Sequence, residues 1–111
     1  MAFDLGQVMA RKQERECARL DAFEFHHKAR TVRLVAEWVR GRAGASGDID
    51  PVAFATRVAL APLDAVIRDL RAQCTAGVTD EDWQRQVERL TGVAYRDLVS
   101  EFGDPAPHRM A

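Results

Sequence analysis

The sequence has few of the residues that point to redox or metal chemistry. Only two of its 111 residues are cysteines, Cys17 and Cys74. They lie far apart and belong to no C-x-x-C or Cys/His ligand spacing. We therefore expect both thiols to be free in a reducing compartment, and a Cys17–Cys74 disulfide only if the fold brings the two together.

Long apolar runs and a strong charge of either sign are also lacking. No apolar run approaches the roughly 18 residues of a membrane span, and the first residues lack the pattern of a signal peptide, so we expect a cytoplasmic protein without membrane insertion. The net charge is −1, which weakens the case for a nucleic-acid partner. Strand patterns, internal repeats and low-complexity blocks are missing too, which indicates a single all-α domain.

What the sequence does have is a broad apolar face on one helix, at residues 23–39. Two apolar stripes with steps of three or four residues run side by side there, so the face is wider than a coiled-coil seam and needs more than one partner. The first stripe comprises Phe23, His27, Thr31, Leu34 and Trp38; the second comprises Phe25, Ala29, Val32, Ala36 and Val39. Glycines and cations at residues 40–44 predict the end of this helix.

Three further helices are predicted as partners for that face. Asp50-Pro51 is typical of a helix start, and the helix should continue to about Leu60 before Pro62 interrupts it. The next helix carries apolar residues at 63, 66, 67 and 70, with Arg68, Asp69 and Arg71 on a solvated side and Gly77 as its C-cap. The predicted architecture is a four-helix bundle with an over-long first helix.

The fourth helix is predicted to run without a break from residue 80 to about residue 102. Thr79 is a good N-cap, and three acidic residues follow it at the positive end of the helix dipole. One apolar stripe passes Gly92, which lies off it: Trp83, Val87, Leu90, Ala94, Leu98 and Phe102. Gly103 and the prolines after it should end the helix.

The bundle is predicted to comprise residues 21–103, and the two ends of the chain are predicted to lie outside it. Residues 1–20, which we call the arm, combine a few apolar positions with a charged block at residues 11–16 that has nothing in the chain to pack on. The arm is predicted to be either a frayed, partly disordered terminus or a projecting helix that binds a partner. Residues 104–111 are predicted to form a disordered tail.

Two possible sites compete with a binding arm. Glu24 and His27 have the Glu-x-x-His spacing of di-iron bundles, but such a site needs that motif twice, so no metal is expected. Residues 84–103 fit the helix-turn-helix template with a turn at Gly92, although Glu88 and Glu101 fit it poorly. No catalytic constellation stands out, and we expect a protein that is not an enzyme and holds no cofactor.

The first helix also resembles that of a known family, the zeta-type inhibitor subunit of alphaproteobacterial F-type ATP synthases. The family pattern is close to F-K-x-x-A-R-R-N-K-L-L-G-L-W-A-A, and this chain agrees with it at Phe25, Ala29, Arg30, Leu34 and Trp38. Residues 53–58 (AFATRV) resemble the family's A-Y-A-K-E-V. Residues 66–73 (VIRDLRAQ) and 77–79 (GVT) resemble its V-F-R-K-x-R-A-D and A-G-V segments. The resemblance covers roughly residues 20–102.

The resemblance implies a four-helix regulatory protein that blocks rotation and ATP hydrolysis. Its N-terminal helix would insert at an α/β subunit interface of the catalytic head. The implied partner-binding residues are Phe3, Asp4, Leu5, Val8, Met9, Arg11, Lys12 and Arg15. The arm departs from the family's F-D-D-R-E-R-A-F-E-N-K-F-A after its first two matches, since Leu5-Gly6 replaces an acidic-basic pair. A zeta-like bundle that has lost inhibition is therefore an alternative, as is a helix-turn-helix protein.

Overall fold

The fold consists of four α-helices, described by a computed structural model over residues 5–41, 48–74 and 77–103. They are α1 (Leu5–Gly41), α2 (Pro51–Thr56), α3 (Leu63–Gln73) and α4 (Asp80–Phe102), and a 3₁₀ turn, Arg57–Ala59, follows α2. In α1 the side chains are described from residue 21 onward. These ranges contain no β-strand. The predicted all-α fold with an over-long first helix is confirmed.

The C-terminal half of α1 forms the centre of the bundle because its apolar face is wide enough for three partners. It packs against α2, α3 and α4. Val35 is fully buried although it belongs to neither predicted stripe, because it lies between them at the middle of the face. The buried residues that form one cluster with it are Val32, Ala36 and Val39 of α1, Ile49 before α2, Ala55 of α2, Val66 and Leu70 of α3, and Leu90 of α4. Thr31, Ala94 and Leu98 are buried as well.

The predicted starts of α2 and α4 are confirmed by their capping hydrogen bonds. The Asp50 carboxylate accepts from the backbone N–H of Val52 at 3.0 Å and of Ala53 at 3.3 Å. The Thr79 hydroxyl accepts from the N–H of Asp82 at 3.1 Å, and all three residues of the first turn of α4 are acidic. Each cap satisfies N–H groups that a helix start otherwise leaves unpaired.

The helix predicted to continue to about Leu60 is shorter in the structure. α2 ends at Thr56, and the chain tightens into the 3₁₀ turn. The carbonyl of Arg57 then accepts from the N–H groups of both Leu60 and Ala61, each at 3.0 Å. Pro62 follows immediately and disfavours helix in the residue before it, so the last turn closes on itself and does not propagate.

The predicted C-cap of α3 was wrong, whereas that of α4 is confirmed. α3 ends at Gln73, and its C-cap is Cys74, which has an extended ψ of 125°, rather than Gly77. At the end of α4, Gly103 has a φ of 84°, a value that favours glycine, and its N–H donates to the carbonyl of Val99 at 2.8 Å. Such a left-handed residue ends a helix because it turns the chain away from the helix axis.

Arg71 joins α3 to the start of α4 and does not lie on a solvated face as predicted. Its guanidinium donates to the carbonyl of Val78 at 2.6 Å and lies 3.3 Å from the Asp80 carboxylate. It also stacks over the ring of Trp83, 5.5 Å from the centroid. That ring lies 5.6 Å from Trp38 of α1. One arginine thus connects the loop before α4 to the aromatic contact between α1 and α4.

Candidate functional site

Helix α1 is longer than the bundle to which it belongs. Its 37 residues span about 55 Å at 1.5 Å per residue, whereas the two shorter dimensions of the molecule are 32 and 21 Å. The radius of gyration is 18.3 Å, compared with about 13 Å for a compact domain of this length. The N-terminal part of α1 therefore extends away from the bundle.

This N-terminal part contains most of the predicted partner-binding residues. Residues 5–20 have a helical backbone that continues without interruption into the bundle. The structure thus brings six of the predicted residues onto one helix, although their side chains lie outside the described part: Leu5, Val8, Met9, Arg11, Lys12 and Arg15. Phe3 and Asp4 lie outside the described residues altogether.

The direction of the arm is set where α1 enters the bundle. Phe23 packs edge-on against Tyr95 of α4, with 5.5 Å between the ring centroids, and His27 does so at 5.6 Å. His27 Nε2 also donates to the carbonyl of Thr91 at 2.9 Å. These contacts fix both the position and the rotation of α1 against α4, so a helical arm leaves the bundle in a defined direction.

A two-point ion pair reinforces this attachment one turn further along. The Arg30 guanidinium donates from Nη1 and Nη2 to the two carboxylate oxygens of Glu101, both at 2.9 Å, and Asp97 lies 3.9 Å away. The hydrogen bonds to Glu101 raise the pKa of Arg30, and the hydrogen bonds from Arg30 lower the pKa of Glu101. Such a paired geometry fixes orientation as well as distance, so it ties the end of α4 to α1.

An open groove lies beside this ion pair, between α2 and the last turn of α4. It has a volume of about 280 Å³, and its lining includes the small residues Ala29 of α1 and Ala55 of α2. Three apolar side chains on its walls are exposed: Phe25 by 40%, Val52 by 61% and Phe102 by 69%. We call these five residues the apolar groove.

The groove was not predicted from the sequence, because two of its residues, Phe25 and Phe102, belong to apolar stripes that were predicted to be buried. Phe25 begins one apolar stripe of α1 and Phe102 ends the stripe of α4, yet both are exposed. Phe102 is the last residue of α4, next to Gly103. An apolar residue that is the last of its stripe and lies at a helix end can be recognised in the sequence as a candidate for exposure. Burial at such a position requires a neighbour beyond the helix end.

Comparison with known proteins adds nothing to this geometry. No protein-family model, no curated protein and no solved structure matches the chain. The resemblance to the zeta-type inhibitor thus stays a prediction based on the residues that carry it.

Residues 84–103 do not have the geometry of a helix-turn-helix. α4 passes through Gly92 as one uninterrupted helix of 23 residues, as the stripe predicted. A helix-turn-helix needs two helices that cross steeply, so that the second can enter the major groove. Glu101, at the end of the segment, pairs with Arg30.

Glu24 and His27 do not converge on a common point. Glu24 lies 3.6 Å from Lys28, one turn along the exposed side of α1, whereas His27 faces α4 and bonds to Thr91. Within the described ranges, no group of three or more His, Cys, Asp or Glu residues could hold a metal ion. Within the same ranges, no helix is both long and apolar enough to span a membrane.

Proposed function

We propose that this protein is a non-enzymatic regulator that binds a partner protein through the helical arm of α1. The observation that carries the proposal is the uninterrupted run of α1 from Leu5 into the bundle. A helix that extends about 25 Å beyond its own domain presents both sides to a partner. Isolated helices of this length are marginal in water, but one that continues an already formed helix avoids the cost of nucleation.

The choice of partner in this proposal is based on the resemblance of residues 20–102 to the zeta-type inhibitor. We propose that the arm inserts at an α/β subunit interface of the catalytic head of an F-type ATP synthase and blocks rotation and ATP hydrolysis. The apolar residues of the arm, Phe3, Leu5, Val8 and Met9, would be buried in that interface. The cations Arg11, Lys12 and Arg15 would pair with acidic groups around it, and Asp4 would lie near the helix start, where the dipole favours an anion.

The bundle contributes to this mechanism by limiting how deeply the arm can enter. The two shorter extents of the molecule, 32 and 21 Å, exceed the diameter of a single helix, which is about 10–12 Å. An interface that is wide enough only for α1 would therefore admit the arm and exclude the bundle. Because α4 holds α1 through Tyr95 and Glu101, a load on the arm is transmitted to the whole domain.

An ATP hydrolysis assay on the purified catalytic head of the cognate synthase tests the proposal. Full-length protein is compared with two variants of equal length that change only the arm. One carries Leu5→Ser, Val8→Ser and Met9→Ser; the other carries Arg11→Ser, Lys12→Ser and Arg15→Ser. We expect inhibition by the full chain and at least a tenfold higher half-inhibitory concentration for the apolar variant, because three apolar side chains contribute about 1–3 kcal/mol each when buried.

A matched control separates the arm from the bundle. Leu60 is 96% exposed and lies between α2 and α3, so Leu60→Ser removes an exposed apolar side chain without changing the arm. It should inhibit like the unmodified chain. Equal inhibition by all variants at saturating protein would refute an inhibitory arm, and no inhibition by the full chain would refute the proposed partner.

A further inference from the structure

We infer that Tyr95 is a positioning residue for the arm, because its ring holds the two turns of α1 that join the arm to the core. Tyr95 lies on α4 and contacts two residues of α1 that are one turn apart. Its ring centroid is 5.5 Å from that of Phe23 and 5.6 Å from that of His27, and both contacts are edge-on. Tyr95 would act through the arm, so its role in inhibition rests on the proposed function.

The part of α1 that Tyr95 contacts lies outside the core. No residue of the range 21–30 is buried, and the first buried residue among those described in α1 is Thr31. This stretch is about 15 Å long at 1.5 Å per residue. It is attached to α4 by side chains that are only partly buried, so each of these contacts has a large share in holding it.

Among the described side chains of α1, Phe23 is the first that contacts α4 through its ring. The hydrogen bond of His27 to Thr91 comes one turn later, and the ion pair of Arg30 with Glu101 comes almost another turn later. A helix end opens up to its first stable tertiary contact, because a terminal segment without partners is marginal in water. Loss of the Tyr95 ring would therefore let the opening of α1 reach from Phe23 to Arg30.

The ring of Tyr95, rather than its hydroxyl, makes these contacts. The side chain is 41% exposed, and among the described residues its hydroxyl has no hydrogen-bond partner. Phenylalanine at this position would keep both edge-on contacts, whereas alanine would lose both. Tyr95→Phe is thus the matched control for Tyr95→Ala.

The attachment determines how many molecules present a straight arm to the partner. If only an arm that continues α1 can insert, the apparent affinity falls in proportion to the fraction of molecules with such an arm. The inserted state is the same in all of them, so the maximal inhibition should not change. From the usual contribution of an aromatic pair, the loss of two ring contacts should lower the affinity at least about fivefold.

Amide hydrogen exchange of the ¹⁵N-labelled full-length protein tests the attachment without any partner. In Tyr95→Ala the protection factors of residues 23–30 should fall at least about fivefold. Those of residues 32–39, which include the buried part of α1, should change less than about twofold. Tyr95→Phe should stay within about twofold of the unmodified chain throughout α1.

The hydrolysis assay on the synthase head then tests the effect on the arm. Tyr95→Ala should raise the half-inhibitory concentration at least about fivefold at unchanged maximal inhibition, and Tyr95→Phe should inhibit like the unmodified chain. Unchanged protection of residues 23–30, an equal fall throughout α1, or lower protection with unchanged inhibition would each overturn the inference. If the unmodified chain did not inhibit, the proposed partner would be refuted, and the exchange measurement would still decide whether Tyr95 holds α1.

Discussion

A proline at residue 22 should separate the arm from the bundle. Ala22 is exposed and directly precedes Phe23, whose contact with Tyr95 marks the start of the bundle part of α1. Proline there removes the hydrogen bond from residue 22 to residue 18 and clashes with that carbonyl, at a cost of about 3 kcal/mol in a helix interior. Proline is, however, favourable at the first position of a helix, so α1 can begin again at residue 22.

The expected magnitudes differ between the two parts of the helix. Once uncoupled, residues 5–20 form a short helix that is marginal in water, so Ala22→Pro should remove roughly a fifth of the helical circular dichroism. The free energy of unfolding of the bundle should change by less than about 0.5 kcal/mol, because the residues that α1 buries begin at Thr31. Ala29→Pro is the matched control. Ala29 packs against the core, and its replacement should cost the bundle about 3 kcal/mol or more.

The two tryptophans make the measurement selective. Trp38 and Trp83 are the only tryptophans in the chain, and they lie 5.6 Å apart between α1 and α4. Urea unfolding followed by their fluorescence therefore reports on the bundle, while circular dichroism at 222 nm reports on all helices. If Ala22→Pro lowered the fluorescence-detected stability as much as Ala29→Pro does, arm and bundle would unfold as one unit and the two-part interpretation of α1 would be refuted.

Three further predictions concern the core, the ion pair and the arm. Leu70→Ala should lower the free energy of unfolding by about 2–5 kcal/mol in urea titrations, because Leu70 is fully buried, whereas Leu60→Ala should stay within about 0.5 kcal/mol. Because Arg30 lowers the pKa of Glu101 in the folded state, the pair stabilises the fold above the ordinary glutamate pKa of about 4.3. This stabilisation is lost as the pH falls through the lower folded pKa. Thermal unfolding should thus show that Glu101→Gln is less stable than the unmodified chain at pH 7, with the difference vanishing in acid. Gly6→Ala should increase the helical dichroism and strengthen inhibition up to about fivefold, since glycine costs up to about 1 kcal/mol relative to alanine inside a helix; unchanged dichroism and inhibition would contradict a helical, binding arm.

Much of the fold could be predicted because local signals and the apolar pattern agree. Thr79 and the acidic residues after it predict the start of α4, and its apolar stripe predicts a helix that continues through Gly92. Both are observed. The same agreement holds for Asp50-Pro51 and the broad face of α1.

The predictions that failed depend on contacts that the apolar pattern and the capping signals do not encode. The end of α3 is determined by an extended Cys74 and by Arg71, which holds the carbonyl of Val78, so a glycine at position 77 is not needed as a cap. Phe102 is exposed at the last position of α4, where burial would need a neighbour beyond the helix end, and periodicity cannot reveal such a neighbour. For the same reason the groove, whose lining comes from three helices, could not be found in the sequence.

The predicted functional site differs from the bundle, because its residues lie in the arm, a segment that contributes little to the fold. The arm was predicted from an absence of partners, and its helical backbone agrees with a projecting helix. What it binds was predicted from the resemblance in residues 20–102, although the arm itself departs from that family after Phe3 and Asp4.

Site-directed photocrosslinking tests the central claim most directly. A photoreactive phenylalanine analogue is placed at Val8 in the arm, or at the exposed Leu60 between α2 and α3 as the control. Each protein is then mixed with the purified synthase head under hydrolysing conditions and irradiated. An arm inserted between subunits should give covalent products with the α or β subunit from position 8, and few from position 60. No product from position 8, or equal products from both positions, would contradict the claim that the arm is the part of this protein that binds.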